Sequence, residues 1–170
     1  MKKLIIVLFI LTSGVAGAQV KAVTIQASGL TCSMCSNAIF KALKTLDFVD
    51  KVEPNIKTSS FDISFKPSAE IDFDKLKAKV EGAGFFVASF TVTYHFDGVA
   101  IANDKHVAVG KSTFHFINVK DAVLSGDQKI RLLDKGYVSA KEFKKNSSFT
   151  KMPCYKTGME EGNRIFHVTI

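Results

Sequence analysis

The amino-acid sequence predicts an α+β protein in two parts, a βαββαβ unit over residues 19–90 and a smaller, mainly-β unit over residues 91–170. Three observations carry this reading. Two amphipathic helical stretches each fall between segments of period-two alternation. After Thr91 the helical signal fades and strand-like segments separated by glycine turns take over. The chain is also 46% apolar over 170 residues, without low-complexity bias, so it can bury one or two proper cores.

Taken in order, residues 21–28 alternate, with Val23, Ile25 and Ala27 on one side and Thr24, Gln26 and Ser28 on the other. That is a half-buried strand ending at Gly29. From Cys35 onward Ile39, Ala42, Leu43 and Leu46 recur at helical spacing, and Lys41 and Lys44 take the outer face. Residues 49–52 read as a short strand closing near Pro54, and Phe61, Ile63 and Phe65 alternate as another before Pro67. A second amphipathic helix carries Phe73, Leu76 and Val80 and stops at Gly82 and Gly84. Residues 86–90 supply a fourth strand. Strand, helix, strand, strand, helix, strand within about seventy residues is the split βαβ, or ferredoxin-like, order.

The second part reads as strands at residues 92–96, 106–109, 113–119 and 130–133, with turns expected at Asp97-Gly98, Gly110 and Gly126-Asp127. A short helix over 139–145 precedes two last strands, near 150–155 and 164–170. Strands with one short helix between them suggest a small barrel or sandwich, with an OB-like barrel favoured. No Gly/Ser/Pro linker marks residue 90, so the fourth strand is free to continue into the second part.

Residues 1–18 stand apart. Lys2 and Lys3, the unbroken apolar run over 4–11, and Ala16-Gly17-Ala18 form the three regions of a secretory signal peptide. The run is shorter than the roughly 20 residues a membrane span needs, and no cysteine follows the small-residue box for lipidation. The expectation is an exported protein, periplasmic or extracellular, beginning at Gln19 and without a stable membrane anchor. Setting Lys2 and Lys3 aside lowers the basic count from 23 to 21 against 16 acids, a net charge near +5. The lysines are dispersed and not interleaved with aromatics, which argues for solvated helix faces and against a nucleic-acid partner.

The chemistry concentrates in SGLTCSMCSNAIFKAL, residues 28–43, where Cys32 and Cys35 are two residues apart at a strand-to-helix junction. Unsatisfied N–H groups and the positive dipole end of a helix stabilise thiolates there. Two such thiolates can converge on one soft ion, and Cu(I) is well served by them. The same spacing admits thiol redox chemistry or a structural disulfide. Redox catalysis is disfavoured: Thr31 precedes the pair, Trp is absent, and the prolines are Pro54, Pro67 and Pro153. A bridge closing so small a loop would add little stability.

GLTCSMC followed by an amphipathic helix in a βαββαβ order resembles the heavy-metal-associated domain of copper chaperones, copper ATPase modules and periplasmic mercury-binding proteins. The family motif is Gly-Met-Thr-Cys-X-X-Cys, and Leu30 replaces its Met, an apolar exchange at a position that packs in the core in the family. The resemblance spans about residues 20–90. It implies metal binding by Cys32 and Cys35 and says nothing about the second part; the expected role is transfer, to or from a donor or acceptor protein, or sequestration. Thr31 stands where family members handling zinc or cadmium tend to be acidic, so Cu(I) is favoured over zinc, with Hg(II) or another soft ion as the alternative. Phe85, in GAGFF (residues 82–86), falls where the family often has an aromatic or lysine beside the metal loop, though core packing explains it as well.

Cys154 lies between Met152 and Met159 in TKMPCYKTGM, residues 150–159. Those soft donors could make a second site, but a buried apolar cysteine in a strand is the expectation. His95, His106, His115 and His167 show no ligand spacing and are expected as strand-surface residues. Asp72, Asp74, Glu160 and Glu161 are expected to cap helices or face solvent. No Ser/His/Asp order, Gly-rich phosphate loop or zinc-protease motif points to an enzyme.

Overall fold

The computed structural model describes residues 19–30 and 33–170; the export signal read in 1–18 lies outside the described residues. The first six elements are β1 (Gln19–Ser28), α1 (Ser33–Lys44), β2 (Val49–Asn55), β3 (Ser60–Phe65), α2 (Phe73–Gly82) and β4 (Phe86–Ile101). Their strands pair antiparallel in the order β2-β3-β1-β4. This is the expected βαββαβ arrangement. It forms because Val23, Ile25 and Ala27 of β1 bury one face of the strand while Gln26 and Ser28 stay exposed. Ile39 and Leu43 of α1 and Phe73, Leu76 and Val80 of α2 close over that face. Asp72 caps α2 by accepting from the Lys75 backbone N–H at 2.9 Å. Pro54 lies inside β2 rather than after it, which is tolerated because β2 is the outermost strand of the path.

The remaining elements are β5 (Lys105–Val109), β6 (Ser112–Phe116), β7 (Ala122–Leu132), α3 (Ala140–Asn146), α4 (Cys154–Thr157), β8 (Met159–Glu160) and β9 (Asn163–Thr169). Their strands pair in one sheet with those of the first part, and the OB-like barrel expected from sequence is not confirmed. β4 runs through residue 90 and pairs with β7, so the same sheet continues as β4-β7-β9-β6-β5, with β8 hairpinned onto β9. Among the described residues the pairing is an open path. It is curled: the Tyr94 hydroxyl on β4 donates to the Val109 carbonyl on β5 at 3.1 Å, four strands away along the path.

Two turn signals were misleading for one physical reason. Gly98 and Gly126 both have positive φ, +64° and +69°, yet both lie inside strands. The register between β4 and β7 shifts between Phe96 and Val99, leaving an extra residue on β4. The glycines let two long strands bend together at a β-bulge, where a sequence reading expects a chain reversal. Residues 150–155 likewise hold no strand, because Pro153 and Cys154 open the short helix α4.

One hydrophobic cluster joins the two parts. Phe73 packs edge-on against Phe90 at 5.8 Å and Phe166 at 5.2 Å, and Phe90 meets Tyr137 at 5.1 Å. A smaller cluster of Ile117, Leu133, Val138 and Tyr155 covers the other face of the second part, with Phe143 against it. β6 is therefore buried on both faces, Phe114 and Phe116 in the main core and His115 under α4. Among the described residues no helix is long and apolar enough to cross a membrane.

Candidate functional site

The strand-to-helix junction of the Cys-X-X-Cys motif is positioned by β1 and α1. Ser28 pairs with Phe86 at the end of the sheet, and the Ser28 hydroxyl donates to the Phe86 carbonyl at 3.2 Å. The chain then turns through Gly29, with φ of +83°, and anchors Leu30 against the core. Leu30 thus packs as expected. α1 begins at Ser33, so half-buried Cys35 belongs to its first turn, which contains no acidic residue to oppose a thiolate. Met34, between the two cysteines, is 81% exposed, and Phe86 is 73% exposed. Thr31 and Cys32 lie outside the described residues. Phe85 is half-buried against the core.

The second part gathers chemistry that the sequence reading missed. His106 on β5 is the cross-strand partner of His115 on β6, and His115 is the partner of His167 on β9. Cross-strand partners project from the same face, so three imidazoles form one rung across three adjacent strands. The first turn of α4 lays Cys154 over that rung. Its Sγ is 3.4 Å from His106 Nε2, 3.6 Å from His115 Nδ1 and 3.4 Å from His167 Nε2. His115 and His167 are fully buried and Cys154 is 3% exposed; His106 is the partly open member. The histidines are therefore not strand-surface residues, with the exception of His95. Cys154 is buried as expected, but in a helix and against imidazoles.

The far nitrogen of each imidazole in the rung meets a carboxylate. His106 Nδ1 lies 2.8 Å from Glu160, His115 Nε2 2.9 Å from Asp104, and His167 Nδ1 3.0 Å from Asp134. Burial pushes the His115 imidazole down, as does neighbouring His167, while the hydrogen bond to Asp104 partly offsets both. Hydrogen bonding from Thr150 and His115 holds Asp104 below the usual carboxylate range, against a smaller effect of burial. Burial, then the charge of Glu160, raises the Cys154 thiol.

Beneath the rung, Asp134 is 3% exposed and accepts from the His167 backbone N–H at 2.8 Å and from Arg164 Nη1 at 3.1 Å. Arg164 also donates to Asp74 at 2.9 Å, which ties α2 to β9. Gly158, with φ of +71°, ends α4 and brings its carbonyl to Arg164; a Cβ there would come within 2.8 Å of the guanidinium.

Comparison with known proteins bears on the first part. Residues 24–86 match the model of the Heavy-metal-associated domain. A copper-exporting P-type ATPase of Staphylococcus saprophyticus is 40% identical over 57 residues, 34% of this chain and 7% of the ATPase. The copper-exporting P-type ATPase of Staphylococcus aureus strain Newman is 32% identical over 69 residues, 41% of this chain and 8% of the ATPase. The chain thus spans under a tenth of the length of these relatives. Among solved structures, oxidized MerP from Ralstonia metallidurans CH34 aligns over 41% of this chain and 96% of its own, with 27% identity and a TM-score of 0.38.

The heavy-metal-associated match ends at residue 86, so the histidine rung and Cys154 lie outside it. The two parts are nonetheless tied by Asp74, which yields a pH prediction. Burial pushes the Asp74 carboxyl up, but hydrogen bonds from Arg164 and Tyr137 and the Arg164 charge outweigh it and hold the carboxyl below its ordinary range. A carboxylate depressed in the folded state stabilises the fold above its unfolded pKa of about 3.9, and that stability is lost as pH falls through the folded value. Wild type should therefore exceed Asp74→Asn in urea stability at neutral pH, with the gap closing below about pH 4.

A second expectation concerns Asp134. Asp134→Asn keeps the shape but puts a donor where Oδ1 or Oδ2 accepts, and it leaves Arg164 short of a buried counter-charge. Unfolding in urea should show a loss of about 1–3 kcal/mol. An unchanged midpoint would show that water replaces the carboxylate without cost.

Proposed function

We propose that this chain binds a soft metal ion, Cu(I) first, between the thiolates of Cys32 and Cys35, and exchanges it with a donor or acceptor protein outside the cytoplasm. The observation that carries the reading is the Cys-X-X-Cys pair at the β1–α1 junction, inside the segment that matches the heavy-metal-associated domain. Supporting it are relatives that are copper-exporting ATPases over the same kind of segment.

The physical logic is that of cargo handling. Two soft donors suffice for Cu(I), and a two-coordinate ion stays open to an incoming thiolate. Exposed Met34 and Phe86 give the sheet end near the pair an apolar character suited to a transient partner. The charged, apolar and small-residue regions of residues 1–18 support export.

The test is an oxygen-free competition titration with a Cu(I) chelator on the Cys154→Ser protein, in which Cys32 and Cys35 are the thiols that remain. One Cu(I) per chain is expected, and adding Cys32→Ser should weaken its binding by orders of magnitude. Binding as tight as before that change would place the site elsewhere. Tighter binding of Hg(II) under the same competition would reassign the cargo, and rapid disulfide exchange without copper uptake would favour a redox role.

A further inference from the structure

The arrangement around Cys154 is incomplete as a hydrogen-bonded cluster. A carboxylate only accepts, so Glu160, Asp104 and Asp134 each fix the N–H of their histidine on the side away from the sulfur. That leaves lone pairs of His106 Nε2, His115 Nδ1 and His167 Nε2 all facing Cys154 Sγ. A thiol has one proton and can satisfy one of them. Protonating all three imidazoles instead would place three cations around one buried sulfur. A single metal cation resolves the conflict, since it accepts every lone pair and converts the thiol to a thiolate.

We propose that His106, His115 and Cys154, with His167 as the fourth donor, form a second metal centre for a transition ion of the copper–zinc class, distinct from the Cys32/Cys35 pair. The ligand atoms of His106, His115 and Cys154 all lie within 4.8 Å of one another. Metal–sulfur and metal–nitrogen bonds of about 2.3 and 2.0–2.1 Å in a tetrahedron separate sulfur from nitrogen by about 3.5 Å. The three observed separations, 3.4, 3.6 and 3.4 Å, bracket that value.

The outer carboxylates are the orientation device of histidine metal sites: they fix the tautomer and raise ligand basicity. The donors stand on β5, β6, β9 and the start of α4, elements paired or packed together, so His106, His115 and Cys154 are already gathered and His167 is held beside the sulfur. One thiolate with imidazoles suits zinc and copper and is poorly matched to magnesium or calcium. Partly open His106, paired with exposed Glu160 on β8, marks the way in. A buried, multidentate and rigid centre of this kind retains its ion, unlike a two-thiolate loop that hands ions over.

The test uses the full chain carrying Cys32→Ser and Cys35→Ser, so that its failure leaves the cargo proposal untouched. Titration with Co(II) should give thiolate-to-cobalt charge-transfer absorption saturating at one ion per chain, displaced by Zn(II) or Cu(I). Cys154→Ser in that background should remove the absorption. Glu160→Gln changes an exposed outer residue and should weaken Co(II) binding about 10–100-fold with the circular dichroism spectrum unchanged. No charge-transfer band in the parent, a band that survives Cys154→Ser, or an affinity untouched by Glu160→Gln would each overturn the assignment.

Discussion

Replacing Cys35 with serine is expected to weaken Cu(I) binding at the Cys32/Cys35 pair by about 10²–10⁴-fold, the range set by losing the second arm of a linked pair. The melting transition should stay where it is. Cys35 is a half-buried residue in the first turn of α1, whose hold on the sheet comes from Ile39 and Leu43 further along the helix. A serine there keeps the size and can still donate to or accept from the turn, so packing is little changed. The sulfur is what the ion needs. A hydroxyl is a hard, weakly acidic donor that does not replace a thiolate toward a soft d¹⁰ ion, so the remaining cysteine binds as a single arm. Affinity of the wild type should also decline as pH falls, because protons compete for the sulfurs. A chelator competition on the Cys154→Ser background measures both effects. A tenfold loss or less would mean that another donor already completes the site.

The contrast between the two parts of the chain shows what a sequence can display. β1, α1, β3 and α2 are amphipathic with one buried face each, so Val23, Ile25, Ile39, Leu43, Phe61, Ile63, Leu76 and Val80 announce themselves by period alone. The Cys32/Cys35 pair is legible because the chemistry proposed for it depends on sequence neighbours. In the second part the periodic signal breaks down for physical reasons. β6 and β9 are buried on both faces, so Phe114-His115-Phe116 and Phe166-His167-Val168 show no polar side. Gly98 and Gly126 serve a bulge within paired strands.

The histidine rung was partly within reach. A hairpin turning at Gly110 and Lys111 places His106 and His115 at equal distances from the turn, hence opposite one another. His167 joins through the parallel pairing of β6 with β9, a long-range contact that no local pattern encodes. The carboxylate partners Asp104, Asp134 and Glu160 come from three different segments, and the supposed strand over 150–155 hid the helix that aims Cys154 at them. Spacing along the chain identifies ligand sets built on one loop, whereas this cluster is assembled by sheet register.

Phe90→Ala is expected to cost about 3–5 kcal/mol, the usual loss for emptying a buried phenylalanine site, and to loosen both parts of the protein together. Phe90 is fully buried at the middle of the path, on the strand that pairs with β1 on one side and β7 on the other. Its ring touches Phe73 of α2 and Tyr137 after β7, while Phe73 itself packs on Phe166 of β9. Deleting the ring therefore removes edge-to-face contacts on both sides of residue 90 and leaves a cavity that rigid strands cannot collapse to fill. Against a total stability of about 5–15 kcal/mol for a protein of this kind, that is a large fraction. Two independent domains would respond differently from one continuous core: a change at a domain end would weaken its own side and spare the other. Hydrogen exchange read separately on β3 and on β6 distinguishes the cases. Equal loss of protection in both strands, with one urea transition, is the expected result. If β6 keeps its protection while β3 loses it, the shared aromatic core does not couple the two parts, and β4 is a passive connection between units that unfold alone.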